Sequence, residues 1–383
     1  MKLLTFLTIF FLCTILFTGN CFAIVNPLDK PNNKIGVHIL FPTEISQASD
    51  LVNSSGGDWG YVTIPIQAGN KDLVIWQKFM DDAAKMHIIP IVRISTDDDY
   101  FNTTVWRKPT YLDIQDFANF LNSLNWPTKN RYVIIFNEPN RGDEWGGTPN
   151  PGEYATLLSY AVNVFKSKNP DFFIISAGFD NAAITNGTDS MDEFDYMKAM
   201  NDAVPGIFNQ IDGIASHSYP NPAFSASPQK QDGESIASYR FEQQLAAQMS
   251  NKQLPIFITE TGWSNKILSN ATISSYYQTA FSSVWTDPSI VAITPFLLQG
   301  SGSPFADLSL MDSSHNPTPV YTTIKSYIKI KGNPVIGKKE VLGISVKASS
   351  LPVENFNNNE NSHSLILTVP KNVKTMLKWL LHI

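Results

Sequence analysis

The chain has 383 residues, of which 16% are charged, with 24 Pro and 21 Gly, which excludes a small module or a disordered tail and leaves one barrel-sized domain or two ordinary ones. Its 28 Lys+Arg against 34 Asp+Glu give a net charge of -6, which argues against nucleic acid or an anionic lipid surface as a general partner and favours a neutral one.

At the N-terminus, Met1 and Lys2 precede an apolar run over 3–17 and then the small residues Cys21 and Ala23, the layout of a secretory signal peptide spanning 1–23. Cleavage after Ala23 is expected, which makes the protein secreted or otherwise exported with no stable membrane insertion. The alternative, a retained anchor, has an apolar run at the short end of what crosses a bilayer. Cys13 and Cys21 both fall in this segment, so the mature chain carries no thiol, and disulfides, zinc ribbons, iron–sulfur sites and thiol catalysis drop out together. Asn-X-Ser/Thr sequons begin at Asn53, Asn102, Asn186 and Asn270.

Eight short runs rich in Val, Ile and Phe follow, at 35–40, 61–66, 88–94, 132–136, 172–176, 211–216, 256–259 and 291–297. Each has the length of a strand and the composition of one buried on both faces, as parallel strands are. Segments with helical spacing lie between them, at 73–86, 114–124, 152–168, 194–208, 236–249, 273–285 and 319–330. In the first, Ile75, Phe79, Ala83 and Met86 share a face; in the second, Phe117, Phe120, Leu121 and Leu124 do. Strand–helix alternation implies parallel connectivity, and eight units over 34–331 fit a closed (β/α)8 TIM barrel better than an open doubly wound sheet. No Gly-X-Gly-X-X-Gly opens the first helix, so a dinucleotide cradle is missing. The rhythm stops near Gly332, and 332–383 reads as a linker and a C-terminal tail, with the asparagine-rich 355–361 and the basic, apolar 371–383. A docking helix, a membrane-surface segment and the stump of a second module all fit that tail.

Chemistry in such barrels sits at the C-terminal ends of the strands. Two runs end there on glutamates: the fourth continues Phe136-Asn137-Glu138-Pro139-Asn140, and the seventh continues Thr259-Glu260-Thr261-Gly262-Trp263. Strands four and seven stand on opposite sides of an eight-stranded ring, so these carboxylates face each other across the mouth. A pair of that kind is the minimum for hydrolysing a glycosidic bond, one protonated to release the leaving oxygen and one ionised to attack the anomeric carbon.

Together with His217-Ser218-Tyr219-Pro220 at the end of strand six, these motifs resemble the signature set of the clan-A glycoside hydrolases, retaining TIM-barrel enzymes, over roughly residues 34–330. The resemblance implies that Glu138 is the general acid/base, Glu260 the nucleophile and Asn137 a hydrogen-bond partner of the sugar 2-hydroxyl. It implies that Tyr219 holds the nucleophile through its phenol and that His217 lines the same floor. Arg93, ending strand three, is expected to steady Glu260. Strand eight, 294–299, lacks the tryptophan that many members place there, so Phe296 or Trp263 stands in as the sugar platform.

His38 ends strand one and is a further candidate, and Trp145, in a Gly-rich loop, is expected to stack on substrate. Trp59, Trp106, Trp126 and Trp285 are expected to pack. Asp97, Asp98 and Asp99 read as a solvated loop rather than a cation site. The expectation is an exported retaining glycoside hydrolase acting on a neutral β-linked glycan, with carbohydrate as its partner and with no cofactor and no metal. Nothing in the residues specifies an oligomeric state. The rivals are a catalytically silent sugar-binding barrel, a transglycosylase using the same covalent intermediate, and a metal-dependent barrel hydrolase, for which no His-X-His pair exists.

Overall fold

A computed structural model describes residues 24–97 and 104–337. The signal-peptide segment, Asn102, Asp98, Asp99 and residues 338–383 lie outside them. All eight expected strands form: β1 (Gly36–His38), β2 (Gly60–Gln67), β3 (Ile88–Ser95), β4 (Arg131–Ile135), β5 (Phe172–Ile175), β6 (Ile214–His217), β7 (Ile256–Glu260) and β8 (Ile290–Ile293). Every pairing is parallel, β1 to β5 in one run and β6 to β8 in another. Two bridges join the runs, Ile175 with Gly213 and Ile35 with Ile293, backed by Ser176 N–H to Gly213 O at 3.2 Å and Leu298 N–H to His38 O at 2.9 Å. The strands therefore form the ring of a (β/α)8 barrel.

Each strand is followed by a helix: α1 (Ile45–Val52), α2 (Leu73–Lys85), α3 (Tyr111–Ser123), α4 (Pro151–Lys168), α5 (Glu193–Ala203), α6 (Ser238–Gln248), α7 (Asn270–Ser282) and α8 (Pro319–Ser326). Their starts follow local chemistry. Asp72 caps α2 by accepting the N–H groups of Val74 and Ile75, and Thr110 with Asp113 forms a capping box on α3. The expected helix 194–208 breaks at Val204, with Gly206 in left-handed backbone before a short helical turn, Ile207–Gln210. In α2 the buried stripe is Trp76, Phe79, Met80 and Ala83, so Ile75, expected inside, is half exposed and the face is turned by one residue. Helix α1 carries Ile45, Ala48, Leu51 and Val52 inward and has no counterpart among the expected helices.

The strands are buried on both faces apart from the end of β2. Tyr61, Ile91, Tyr132, Phe173 and Phe257 fill the barrel interior, and the larger apolar layer between strands and helices includes Trp76, Phe117, Phe165 and Trp285. Trp106, Trp126 and Trp285 pack as expected, and Trp59 stacks on His87 with ring centroids 4.6 Å apart. At the N-terminal end of the barrel Asn130 exchanges hydrogen bonds with Val25 at 3.0 and 2.7 Å, and Lys129 N–H reaches Val335 O at 2.8 Å. Residues 332–337, where the sequence reading begins its linker, thus lie along the barrel floor. Among the described residues no helix is long and apolar enough to cross a membrane.

Behind β6 lies a buried acidic pair. Glu242 on α6 accepts from Ser216 at 2.7 Å and Ser238 at 3.0 Å, while both oxygens of Glu193 lack a protein partner among the described residues. Burial pushes both carboxyls up, and Glu242 reaches about 7. A carboxyl raised on folding contributes stability in full below its unfolded value and loses it as pH rises through the folded one. The thermal midpoint is therefore expected to fall between pH 4.5 and about 7, and Glu242→Gln is expected to flatten that slope in pH-dependent melting curves.

Candidate active site

The catalytic face is built from strand ends held at one level. A register shift between Ser216 and His217 brings His217 opposite Glu260 across β6 and β7. After β4 the chain passes through Phe136 and Glu138 in left-handed backbone, with φ of 68° and 30°, so that Asn137 and Glu138 turn into the mouth. Glu138 N–H donates to Gly178 O at 3.1 Å, which ties this turn to the segment after β5. Gly178 itself must lack a side chain, because a Cβ there would overlap the His217 ring.

Around Glu260 the contacts are dense. Arg93, only 1% exposed, donates from Nη1 both to Glu260 Oε1 and, at 2.7 Å, to Asn137 Oδ1. The Tyr219 hydroxyl donates to Glu260 Oε2 at 3.0 Å, and His38 Nε2 lies 3.8 Å from Oε1. His217 Nδ1 is 2.7 Å from Glu138 Oε1 and 3.8 Å from Glu260 Oε2. One atom each of Glu138, His217 and Glu260 lie within 4.8 Å of one another. With its oxygen engaged by Arg93, the Asn137 amide leaves its NH₂ for a ligand.

Burial alone would raise the Glu260 carboxyl, but His217 and Arg93 outweigh it and hold the group at about 2. His38 is pushed down to about 3 by burial and then by Arg93, so it is neutral at neutral pH and Arg93 is the permanent cation. His217 is lowered by burial, yet the charges of Glu260 and Glu138 outweigh that and leave it raised. Burial, followed by the charge of Glu260, keeps the Tyr219 phenol protonated and therefore a donor. Three potential metal ligands converge here, but the guanidinium bonded to Glu260 already supplies a cation, which suits proton transfer better than metal binding.

Glu260 is stabilised by its low value above the ordinary carboxylate range, and that contribution is lost as pH falls from 4.5 toward 2. Replacing Arg93 with alanine leaves burial opposed mainly by His217. The acid limb of the kcat/KM profile is then expected to move upward, and activity measured across the acid pH range checks this.

Glu138 and Glu260 open on a cleft of about 270 Å³, with Asn137, Arg93 and Tyr219 also lining it. Phe296 tilts against His38, with ring centroids 4.9 Å apart, and is placed in the cleft wall. Trp263 is not: it is buried, donates to Ala226 O at 2.8 Å and packs on Tyr277 and Trp285. Trp145 is likewise inside rather than on the substrate path, 1% exposed, edge-on to Phe136 and Tyr154. Its loop folds back through Trp145 N–H to Gly142 O at 3.0 Å and turns the ring inward. Asp97 accepts the N–H of Gly69 at 3.1 Å, a loop tether.

Four contributors to the cleft, Arg141, Glu144, Asp180 and Phe224, were not singled out in the sequence, although the first two share the Gly-rich loop of Trp145. Arg141, three residues after Glu138, was within reach of the motif. The others sit in aperiodic loops after different strands, and no spacing links them.

A family model described as a glycosyl hydrolase catalytic core matches residues 95–323, more than half of the chain. Among solved structures, a family 39 glycoside hydrolase from the gut symbiont Bacteroides cellulosilyticus WH2 is similar at a TM-score of 0.55 and 17% identity, over 80% of this chain and 65% of that one. A family 5 subfamily 18 enzyme from Streptomyces cattleya, in complex with Manβ1-4GlcNAc, is similar at a TM-score of 0.53 and 14% identity, over 78% of this chain and 80% of that one. A subfamily 18 enzyme from Bifidobacterium longum subsp. infantis is similar at a TM-score of 0.52 and 11% identity, over 77% of this chain and 78% of that one. At these identities the likeness is one of fold. No curated protein sequence matches the chain.

Proposed function

The chain belongs to the glycosyl hydrolase catalytic core family, and on that premise we propose that it is an exported, retaining enzyme that cleaves a neutral β-linked glycan by double displacement. The observation that carries the mechanism is the convergence of Glu138 and Glu260, with one oxygen of each inside a 4.8 Å group. Retaining glycosidases hold their carboxyl groups roughly 5 to 5.5 Å apart, whereas inverting ones leave roughly 6.5 to 9.5 Å for a water.

In the first step ionised Glu260 attacks the anomeric carbon, and a bond forms from its carboxylate oxygen as the glycosidic bond breaks. Glu138 gives a proton to the departing oxygen, and the short contact with His217 supplies a route for that proton. In the second step Glu138 takes a proton from water, and the resulting hydroxide character displaces Glu260. The free NH₂ of Asn137 is positioned to donate to the sugar 2-hydroxyl as the ring flattens, an interaction that strengthens in the transition state. Tyr219 and Arg93 hold the nucleophile in one orientation throughout.

Purified protein should be assayed on β-glucans, mannan, xylan and galactan, with the anomeric configuration of the first-formed product followed by NMR. Release of a β-configured product supports the reading. An α-configured product or inactivity on every glycan counts against it. A transglycosylase would give longer products at high acceptor concentration and free sugar only slowly.

A further inference from the structure

The two walls of the cleft differ in chemistry. Loops after β6 and β8 supply Phe224, Phe296, Phe305 and Leu308, an apolar wall, whereas loops after β4 and β5 supply Arg141, Glu144 and Asp180 beside Glu138. A general acid must reach the oxygen that it releases, so the departing group lies on the side of Glu138, against the charged wall.

Most hydrogen bonds of that wall are satisfied within the protein. Arg141 donates to Asp143 at 3.1 and 2.8 Å and to Asp180 at 3.4 Å, and it stands 3.6 Å from Glu138. Asp180 also accepts the N–H of Ala182 at 2.8 Å. Glu138 is engaged by His217, and Glu260 by Arg93 and Tyr219. Glu144 is the exception: it faces the cleft and has no hydrogen-bond partner among the described residues.

The backbone that carries this carboxyl is held in place. The next residue, Trp145, is locked between Phe136 and Tyr154, and Gly147 N–H closes the loop onto Gly142 O at 2.7 Å. Burial, and then the charges of Glu138 and Asp143, push the Glu144 carboxyl up. A protonated carboxyl both donates and accepts, as the hydroxyls of a sugar require. A polar group that faces a cleft from a fixed loop and has no protein partner is suited to bind a ligand hydroxyl.

We propose that Glu144 is a specificity residue that hydrogen-bonds the leaving group, and that this leaving group is a hydroxyl-rich sugar unit rather than an aromatic or aliphatic aglycone. The inference rests on the glycosidase reading above. A substrate with sugar on both sides of the broken bond makes the protein an enzyme of glycan chains rather than of simple glycosides.

The test compares wild type, Glu144→Ala and Glu144→Gln on the shortest oligosaccharide that the wild type cleaves and on the 4-nitrophenyl glycoside of the same glycone, lengthened where the enzyme needs it. Loss of one hydrogen bond to an ionisable group is expected to lower kcat/KM on the oligosaccharide about 10- to 100-fold in the alanine variant. The ratio of oligosaccharide to aryl rates should fall at least about tenfold, with glutamine restoring part of it. Unchanged thermal midpoints establish that both variants fold. Equal losses on both substrates, or no loss on either, overturn the inference while leaving the glycosidase reading intact. A wild type inert on every glycan and aryl glycoside overturns the reading and the inference with it.

Discussion

Glu260→Ala is expected to lower kcat/KM by about four orders of magnitude or more, on every substrate that the wild type cleaves. The size of the effect follows from the proposed covalent step, for which Glu260 is kept ionised at about 2 by His217 and the buried guanidinium of Arg93. In the proposed mechanism Glu138 serves the departing oxygen and does not replace Glu260 as nucleophile. Removing Glu260 also takes from buried Arg93 its carboxylate partner while the bond to Asn137 remains, and breaking a buried ion pair of this kind costs up to roughly 3 to 5 kcal/mol of stability. For that reason Glu260→Gln, which keeps an acceptor for Arg93 and Tyr219, is the matched variant, with equal loss of activity and a smaller loss of thermal stability. Added azide is expected to restore part of the alanine variant's turnover by entering the vacated space, giving a product of inverted configuration. Either variant retaining even a tenth of wild-type activity would remove Glu260 from the nucleophile's role.

Glu138→Ala is expected to show a loss that depends on the leaving group. General acid catalysis is worth about 10²- to 10⁴-fold, and a sugar hydroxyl needs all of it, whereas a 4-nitrophenolate departs without a proton. On glycans kcat should therefore fall by about two to four orders of magnitude. On the aryl glycoside the first step survives and the second, which needs the same residue as a base, becomes slow, so a burst of nitrophenol followed by a low steady rate is expected. Equal losses on both substrates with no burst would mean that Glu138 positions substrate instead of moving a proton.

The clan-A resemblance and the barrel are both borne out, and the reasons lie in particular residues. Buried parallel strands must be apolar on both faces, so a charged residue at the end of such a run stands out. Glu138, Glu260 and Arg93 were visible on that ground, and the structure brings all three to one cleft with Asn137 and Tyr219. His38 and His217 also reach Glu260, within 3.8 Å. Trp145 and Trp263 misled because a tryptophan in a glycine-containing loop looks exposed by composition. In fact backbone hydrogen bonds within the first loop, and the aromatic cluster of Tyr277 and Trp285 beneath the second, draw both rings inside. Loop conformation has no period to read, and for the same reason Glu144 and Asp180 carried no signal. Helix α1 was missed: Ile45, Ala48, Leu51 and Val52 keep helical spacing, but over only eight residues.

Covalent trapping is the most direct examination of the whole scheme. Wild-type protein incubated with a 2-deoxy-2-fluoro glycosyl fluoride of the preferred sugar should gain the mass of one glycosyl unit, and peptide mapping should place it on the segment containing Glu260. Addition at Glu138, or full turnover-dependent inhibition with no added mass, would contradict the double-displacement account.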